Sequence, residues 1–379
     1  MFENVVAFIR KLYNTDEFIP LHAPVFRGNE KEYVLDTINS TYVSSVGKYV
    51  NRFEEMICDY TGAGYAVATV NGTAALHLSL VINEVNRDDL IITQPLSFIA
   101  TCNAIKYIGA DPLFIDIDRN TLSLSPEKLN FFLKENTHQK NNECIHNQTG
   151  RRIKACVPMH TFGVAAEIDT IAEICSANNI ILIEDAAESL GTIYKGKHTG
   201  TFGMCGTYSF NGNKTITCGG GGMIVTNNKQ LATLAKHLST QAKVAHQWNF
   251  VHDAVGYNYR LPNINAALAC AQMEQLEKFI YSKRSVAAAY KAFFENTTIQ
   301  YISEAKEARS NYWLNAILLH DENERDAFLS FTNNNKVMTR PCWQLMSKLE
   351  MFKDAPADDL SNAAWIEDRL VNIPSSAII

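Results

Sequence analysis

The amino-acid sequence predicts an α/β protein. It has a large domain with a mostly parallel sheet covered by helices, then a smaller C-terminal α+β domain. Three observations carry this expectation. From about residue 60, short apolar runs alternate with amphipathic stretches. After about residue 240 the texture changes to long 3.6-residue apolar spacing. The length, 379 residues, is more than one ordinary core accommodates.

The elements follow in order. Residues 1–30 form an amphipathic arm, expected to pack on the C-terminal domain or on a partner chain. Residues 31–240 make the large domain. In it, YAVATV (65–70) reads as a buried strand and NGTAALHLSLVI (71–82) as a turn opening a helix. LIITQP (90–95) is a strand, SFIATCNAIKYIG (97–109) a helix ending at Gly109, and DPLFIDID (111–118) a strand. RRIKACVPMH (151–160) and IILIED (180–185) repeat the cycle with a helix between them. Residues 241–379 are assigned to the small domain. There, 263–296 reads as one long helix and NYWLNAILL (311–319) as a strand.

Composition narrows the function. A net charge of −6 disfavours broad binding to nucleic acid or to an anionic membrane. No uncharged apolar run approaches the roughly 18 residues that span a bilayer. The nine cysteines include no C-x-x-C pair. Together with the absence of a secretory leader at MFENVVAFIRKLYN, they suggest free thiols in a reducing, cytoplasmic setting. The Cys and His of ECIHNQTGRRIKACVPMH match no common zinc spacing, so no metal is expected and a hairpin with buried thiols is.

In parallel α/β sheets, ligands bind beyond the carboxyl ends of the strands, and three strand ends here carry pointed chemistry. At Asn71-Gly72-Thr73 a strand passes into a helix. Its first N–H groups and dipole suit a phosphate, and the residues equally suit a plain N-cap. Glu184 and Asp185 end an apolar strand, where a carboxylate is costly unless it meets a cation; a capping aspartate with a surface glutamate is the other reading. Lys214 stands alone in the uncharged run YSFNGNKTITCGGGG (208–222). In a dry pocket such an amine becomes a nucleophile able to form a Schiff base; on a solvated loop it would do nothing. Ser209 can donate to a phosphate, and Gly219 to Gly222 allow a close turn. A phosphate cradle, a buried carboxylate and an isolated lysine are the parts of a pyridoxal 5'-phosphate site.

The chain resembles the fold type I nucleotide-sugar aminotransferases of the DegT/DnrJ/StrS type. The resemblance runs from IPLHAPVFRGNE and TYVSSVGKYVNRFEE through NGTAALHLSL, PLSFIATCNAIKYIGADPLFIDID, IEDAAESLGT and GTYSFNGNK to GYNYRLPNINAALACAQME. It implies a pyridoxal phosphate enzyme with Lys214 at the Schiff-base position and Asp185 against the pyridine nitrogen. Gly72, Thr73 and Ser209 match phosphate contacts, and Phe98 matches the aromatic stacked on the ring. Glu188 falls where many members place Gln or His against the ring hydroxyl, a departure, since a glutamate donates only when protonated. Asn258 matches an asparagine that reaches the phosphate of the neighbouring subunit, implying a homodimer with shared sites. Ser44, Ser45, Tyr312 and Arg340 are candidates for the sugar and diphosphate.

The implied reaction is ping-pong transfer from L-glutamate, released as 2-oxoglutarate, to a nucleotide-linked keto sugar. SFNGNK followed by GGGG resembles the branch that aminates C4 of a UDP-linked 4-keto-6-deoxy-N-acetylhexosamine, toward bacillosamine- or legionaminate-like sugars. A 3-aminotransferase, or one acting on a dTDP- or GDP-linked sugar, is the alternative. A non-catalytic aminotransferase-like regulator would carry a DNA-binding module, and motifs beginning near residue 20 leave no room for one.

Overall fold

The computed structural model describes residues 2–379. Its centre is a seven-stranded sheet in the order Tyr65–Thr69, Gly222–Thr226, Cys205–Ser209, Ile181–Asp185, Ile153–Val157, Leu90–Thr93 and Asp111–Phe114. Every pairing is parallel except the two made by Gly222–Thr226. Both faces are covered, so the strands read as continuous apolar runs rather than alternating ones. Ile91, Ala155, Ile183 and Ile224 pack with the helices Gly72–Ile82 and Lys229–Ser239. Met223 and Val225 point the other way, toward Phe53 and Ala266–Ile280. Leu90, Ile92, Cys156 and Leu182 pack with Leu129, Phe132 and Ile171 of a third cluster.

A second sheet, entirely antiparallel, orders Gln300–Tyr301, Asn315–Leu318, Leu370–Ile373 and Arg340–Pro341. The N-terminal helix Phe2–Tyr13 docks there, burying Val5, Val6 and Ile9 beside Phe328 and Val371.

One helix expectation changes. The single helix over 263–296 is two, Asn263–Met273 and Leu276–Phe294. At the break, Glu274 is held by Arg52 at 2.7 Å, Tyr33 at 2.8 Å and Asn29 at 2.8 Å, which redirects the chain. The stretch after 241 also begins by packing into the core of the central sheet. Leu261, Ala266, Ala267, Cys270 and Phe279 belong to the core that holds Phe53 and Tyr208. From Val286 onward the second helix shares an apolar cluster with the C-terminal sheet. Apolar periodicity reports that a helix buries a face, not which neighbour covers it.

The hairpin expected around Cys144 and Cys156 forms upstream, between Thr137–Lys140 and Glu143–His146, while Cys156 enters the central sheet. All nine cysteines are unbonded, and no cluster of metal-ligating side chains occurs among the described residues. No helix among them is long and apolar enough to cross a membrane.

Candidate active site

Strand register brings the three strand ends together. Gly222 pairs with Thr69 on one side and Ser209 on the other, and Thr207 pairs with Asp185. The segments carrying Gly72, Ser209 and Asp185 therefore lie at the ends of three strands, and Lys214 lies in the loop that enters the adjacent fourth, Gly222–Thr226. They line a cavity of about 420 Å³ with Thr73, Phe98, Glu188, Asn211, Asn213, Trp313 and Trp343, a size suited to a cofactor and part of a substrate.

The cradle is built by close approach. Asn71 caps the helix Gly72–Ile82, its Oδ1 accepting the Ala74 N–H at 2.8 Å. This leaves the first-turn N–H groups of Gly72 and Thr73 for a ligand at the positive end of the helix dipole. A Cβ on Gly72 would come within 2.8 Å of the Ser209 Cβ, and one on Gly222 within 2.3 Å of the Asn71 carbonyl. Both glycines are what let the Ser209 hydroxyl and the helix start share one small space.

Asp185 lies at the cavity floor, 3% exposed. Its Oδ2 accepts from the Thr101 hydroxyl at 2.7 Å and its Oδ1 from the Ala187 N–H at 3.1 Å. Burial raises its carboxyl above the ordinary value, against those two hydrogen bonds and nearby Lys214. A cation in the cavity would offset that cost. Glu184, its neighbour, faces the opposite way and is not at the surface. It accepts N–H groups of Gly200, Phe202 and Gly203 at 2.6–2.8 Å and pairs with His160 at 3.1 Å, fixing the 200–203 turn.

Lys214 is drawn into the cavity by Glu188, with Nζ 3.2 Å from Oε1. Glu188 is fully enclosed; its Oε2 accepts the Phe162 N–H at 2.8 Å. Burial pushes its carboxyl up to about 7, although Lys214 and the Phe162 N–H pull it down. A phosphate cradle, a floor carboxyl in need of a cation, and a lysine within an enclosed pocket fit pyridoxal phosphate.

Seven expected residues thus meet in one cavity: Gly72, Thr73, Phe98, Asp185, Glu188, Ser209 and Lys214. Phe98, 49% exposed, forms its rim, edge-on to Trp343. The others lie outside it. Ser44 and Ser45 use their carbonyls to accept from the Asn263 N–H at 2.6 Å and Arg260 Nε at 3.0 Å. Tyr312 is buried, its hydroxyl accepting the Glu304 N–H at 3.2 Å beneath Arg284. Arg340 sits on an exposed edge strand, bonded to Asn333 and Thr339. Asn258 is exposed and bridges Thr240. In place of Tyr312 and Arg340, the C-terminal domain contributes Trp313 and Trp343. Trp313 lay within a segment read only as a strand; Tyr312, at φ 46°, turns the chain before the strand Asn315–Leu318 begins.

Fold and site together define a fold type I, pyridoxal phosphate-dependent aminotransferase. Residues 24–378 match the DegT/DnrJ/EryC1/StrS aminotransferase family, and the chain belongs to it. It is 38% identical over 364 residues to the GDP-perosamine synthase of Escherichia coli O157:H7, covering 95% of this chain and 93% of that protein. It is 34% identical to the GDP-perosamine synthase of Vibrio cholerae, covering 94% of each. Among solved structures, the PLP-form of Spr1654 from Streptococcus pneumoniae superposes with a TM-score of 0.85 at 19% identity, over 96% of this chain and 94% of that one.

Proposed function

We propose that the protein transfers the amino group of L-glutamate to the C4 ketone of a GDP-linked 4-keto-6-deoxy sugar. One observation carries the transamination: Lys214, Glu188 and Asp185 converge on the cavity that the Gly72–Ser209 cradle closes. The GDP assignment draws on the two relatives named for GDP-perosamine, each similar over nearly its whole length. It replaces the UDP-linked N-acetylhexosamine that the sequence motifs suggest.

Bound pyridoxal phosphate supplies a carbonyl that carries the amino group and a ring that delocalises electrons while a proton moves. The chain's own residues do the rest. Gly72, Thr73 and Ser209 would hold the phosphate. Asp185 would hold a proton on the ring nitrogen, the cation that its buried carboxyl calls for. Phe98 would cover a ring face, and Glu188 would face the ring hydroxyl. Lys214 would be the amine that holds the resting cofactor and, once released, would serve as the base and acid that moves a proton at the substrate carbon. Phe98, Trp313 and Trp343 line the cavity with aromatic surface that excludes water.

The site is shared in a homodimer, with Asn258 reaching the partner's phosphate. The hairpin around it supports this reading: Trp248, Phe250 and Val255 are 78%, 83% and 87% exposed, an apolar surface that a monomer rarely leaves bare.

The test is incubation of purified protein with cofactor, glutamate and a panel of GDP-, UDP- and dTDP-linked 4-keto and 3-keto sugars. Products are identified by mass and NMR. Preferred amination of the GDP-linked 4-keto sugar is expected. Preference for the UDP-linked N-acetylhexosamine would restore the first reading, and no amination of any sugar would sink both.

A further inference from the structure

The Lys214 amine is held from two sides. Glu188 Oε1 lies 3.2 Å from Nζ, and the centroid of the Trp313 ring lies 4.0 Å from the same atom. An ammonium over an indole face is attracted by the ring quadrupole, more strongly where water is excluded. Here the lysine side chain is 14% exposed and Trp313 is 4% exposed.

The indole is not free to leave. Its Nε1–H donates to the Asn213 carbonyl at 2.7 Å, tying the ring to the peptide that immediately precedes Lys214. Its backbone N–H donates to Asn311 Oδ1 at 2.8 Å, and its carbonyl accepts from Lys283 Nζ at 3.1 Å. Asn311 in turn donates to the carbonyls of Glu188 and Leu190, each at 2.9 Å, and to Thr215 Oγ1 at 3.2 Å. One buried asparagine therefore braces the segment carrying the indole, the segment carrying the carboxylate and the segment carrying the lysine. Tyr312, in the left-handed region at φ 46°, supplies the turn that brings Trp313 inward. A bulky residue occupies that region only where its surroundings impose it.

We propose that Trp313 is a positioning residue for Lys214. Its π-face and the Glu188 carboxylate form a two-sided holder that keeps the ammonium extended into the cavity before the cofactor arrives. The proposal rests on the reading above only in taking Lys214 as the cofactor-bearing amine. It assigns to the C-terminal domain a part in preparing a lysine that the large domain carries.

The test uses cofactor-free protein. Lys214 and the exposed Lys229 are acetylated together at fixed pH, and their labelling rates are compared by peptide mass spectrometry. Trp313→Leu should speed Lys214 labelling by roughly 2- to 30-fold relative to Lys229, the range a cation–π contact spans. Trp313→Phe, which keeps a π-face, should restore most of the slow rate.

Because Trp313→Leu also opens space, the deciding series places mono-, di- and trifluorotryptophan at position 313. Shape is kept while electron density leaves the ring. Labelling that accelerates stepwise with fluorine count establishes the holder. A flat series overturns it, leaving Trp313 as a steric cover alone. Neither result depends on any sugar substrate, so failure of the proposed reaction and failure of this inference are read separately.

Discussion

Glu188 Oε1 lies 3.2 Å from Lys214 Nζ, while the other oxygen of the same carboxyl accepts the Phe162 N–H at 2.8 Å. Phe162 reaches this geometry at φ 57°, in the turn that follows the strand Ile153–Val157. A glutamine could accept the same N–H. What a glutamate adds is a titratable proton, and burial places that titration near neutrality, at about 7.

The first prediction follows from the sign of that shift. A carboxyl whose folded value is raised binds a proton more tightly folded than unfolded. Its contribution is harmless below about 4.5 and becomes a cost as pH rises through about 7. Glu188→Gln removes the cost, so the cofactor-free variant should lose less stability than wild type between those limits. The difference is up to about 3 kcal/mol at the alkaline end. Thermal melts across that range check it. Parallel curves for the two proteins would mean that Lys214 and the Phe162 N–H hold Glu188 ionised throughout.

Lys214 should be the residue that borohydride reduction joins to the cofactor. The purified protein should be yellow, and peptide mapping should place the reduced adduct on a fragment containing Lys214. An adduct elsewhere would end the assignment. Lys214→Ala should fold, bind the cofactor non-covalently and lose at least about 100-fold in turnover, the scale of a lost general acid–base.

Asp185→Asn keeps the shape and one acceptor oxygen for the Ala187 N–H, and its amide can donate to the Thr101 hydroxyl, while the charge is removed. Burial raises the Asp185 carboxyl in the cofactor-free chain, so ionising it there costs stability as pH rises. The variant without cofactor should therefore melt at or above wild type near pH 7. Adding cofactor should raise its melting temperature less than it raises that of wild type. Both half-reactions should slow by about 100-fold or more. Normal turnover would place the partner of the ring nitrogen on another residue.

The strand ends were legible because their chemistry is local. A lone lysine in an uncharged run, a carboxylate after IILIE and a glycine opening a helix each stand out without knowledge of the fold. Parallel register then places them side by side. Trp313 and Trp343 were not legible, because they reach the cavity from a domain whose docking no short-range pattern encodes. Tyr312 and Trp313 are adjacent and both aromatic; the positive φ at Tyr312 and the hydrogen bonds of Trp313 to Asn213, Asn311 and Lys283 accompany the one that faces Lys214. Helix partners are hidden from the sequence for a related reason. The helix Asn263–Met273 carries the periodicity of its neighbour but packs on Glu30–Asn39 and Lys48–Thr61.

Gly72→Ala should damage the cradle with little change elsewhere. The added Cβ would meet Ser209 Cβ at 2.8 Å, so the helix start and the serine must part. Overpacking of this kind costs about 1–3 kcal/mol, here exerted on the phosphate site. Cofactor affinity, followed by titration of the apo-protein, should fall by roughly 5- to 150-fold. Unchanged affinity would show that the phosphate is held elsewhere.

The last prediction concerns Asn258, which lies outside the cavity of its own chain, on a backbone bridge to Thr240. If it completes the partner's phosphate site, each site combines Lys214 of one subunit with Asn258 of the other. Asn258→Asp would set a carboxylate against the phosphate and weaken cofactor binding strongly. Chains carrying Lys214→Ala and chains carrying Asn258→Asp would each be inactive alone. In a two-fold dimer formed by exchange between them, one site receives both lesions and the other receives neither. With random exchange of equal amounts, half the dimers are mixed and half their sites are intact. Activity should then return to roughly a quarter of wild type. If Asn258 served its own chain, every site in the mixture would carry one lesion and activity would stay absent. A dead mixture, with subunit exchange confirmed by native mass spectrometry, would remove the shared site while leaving the role of Lys214 intact.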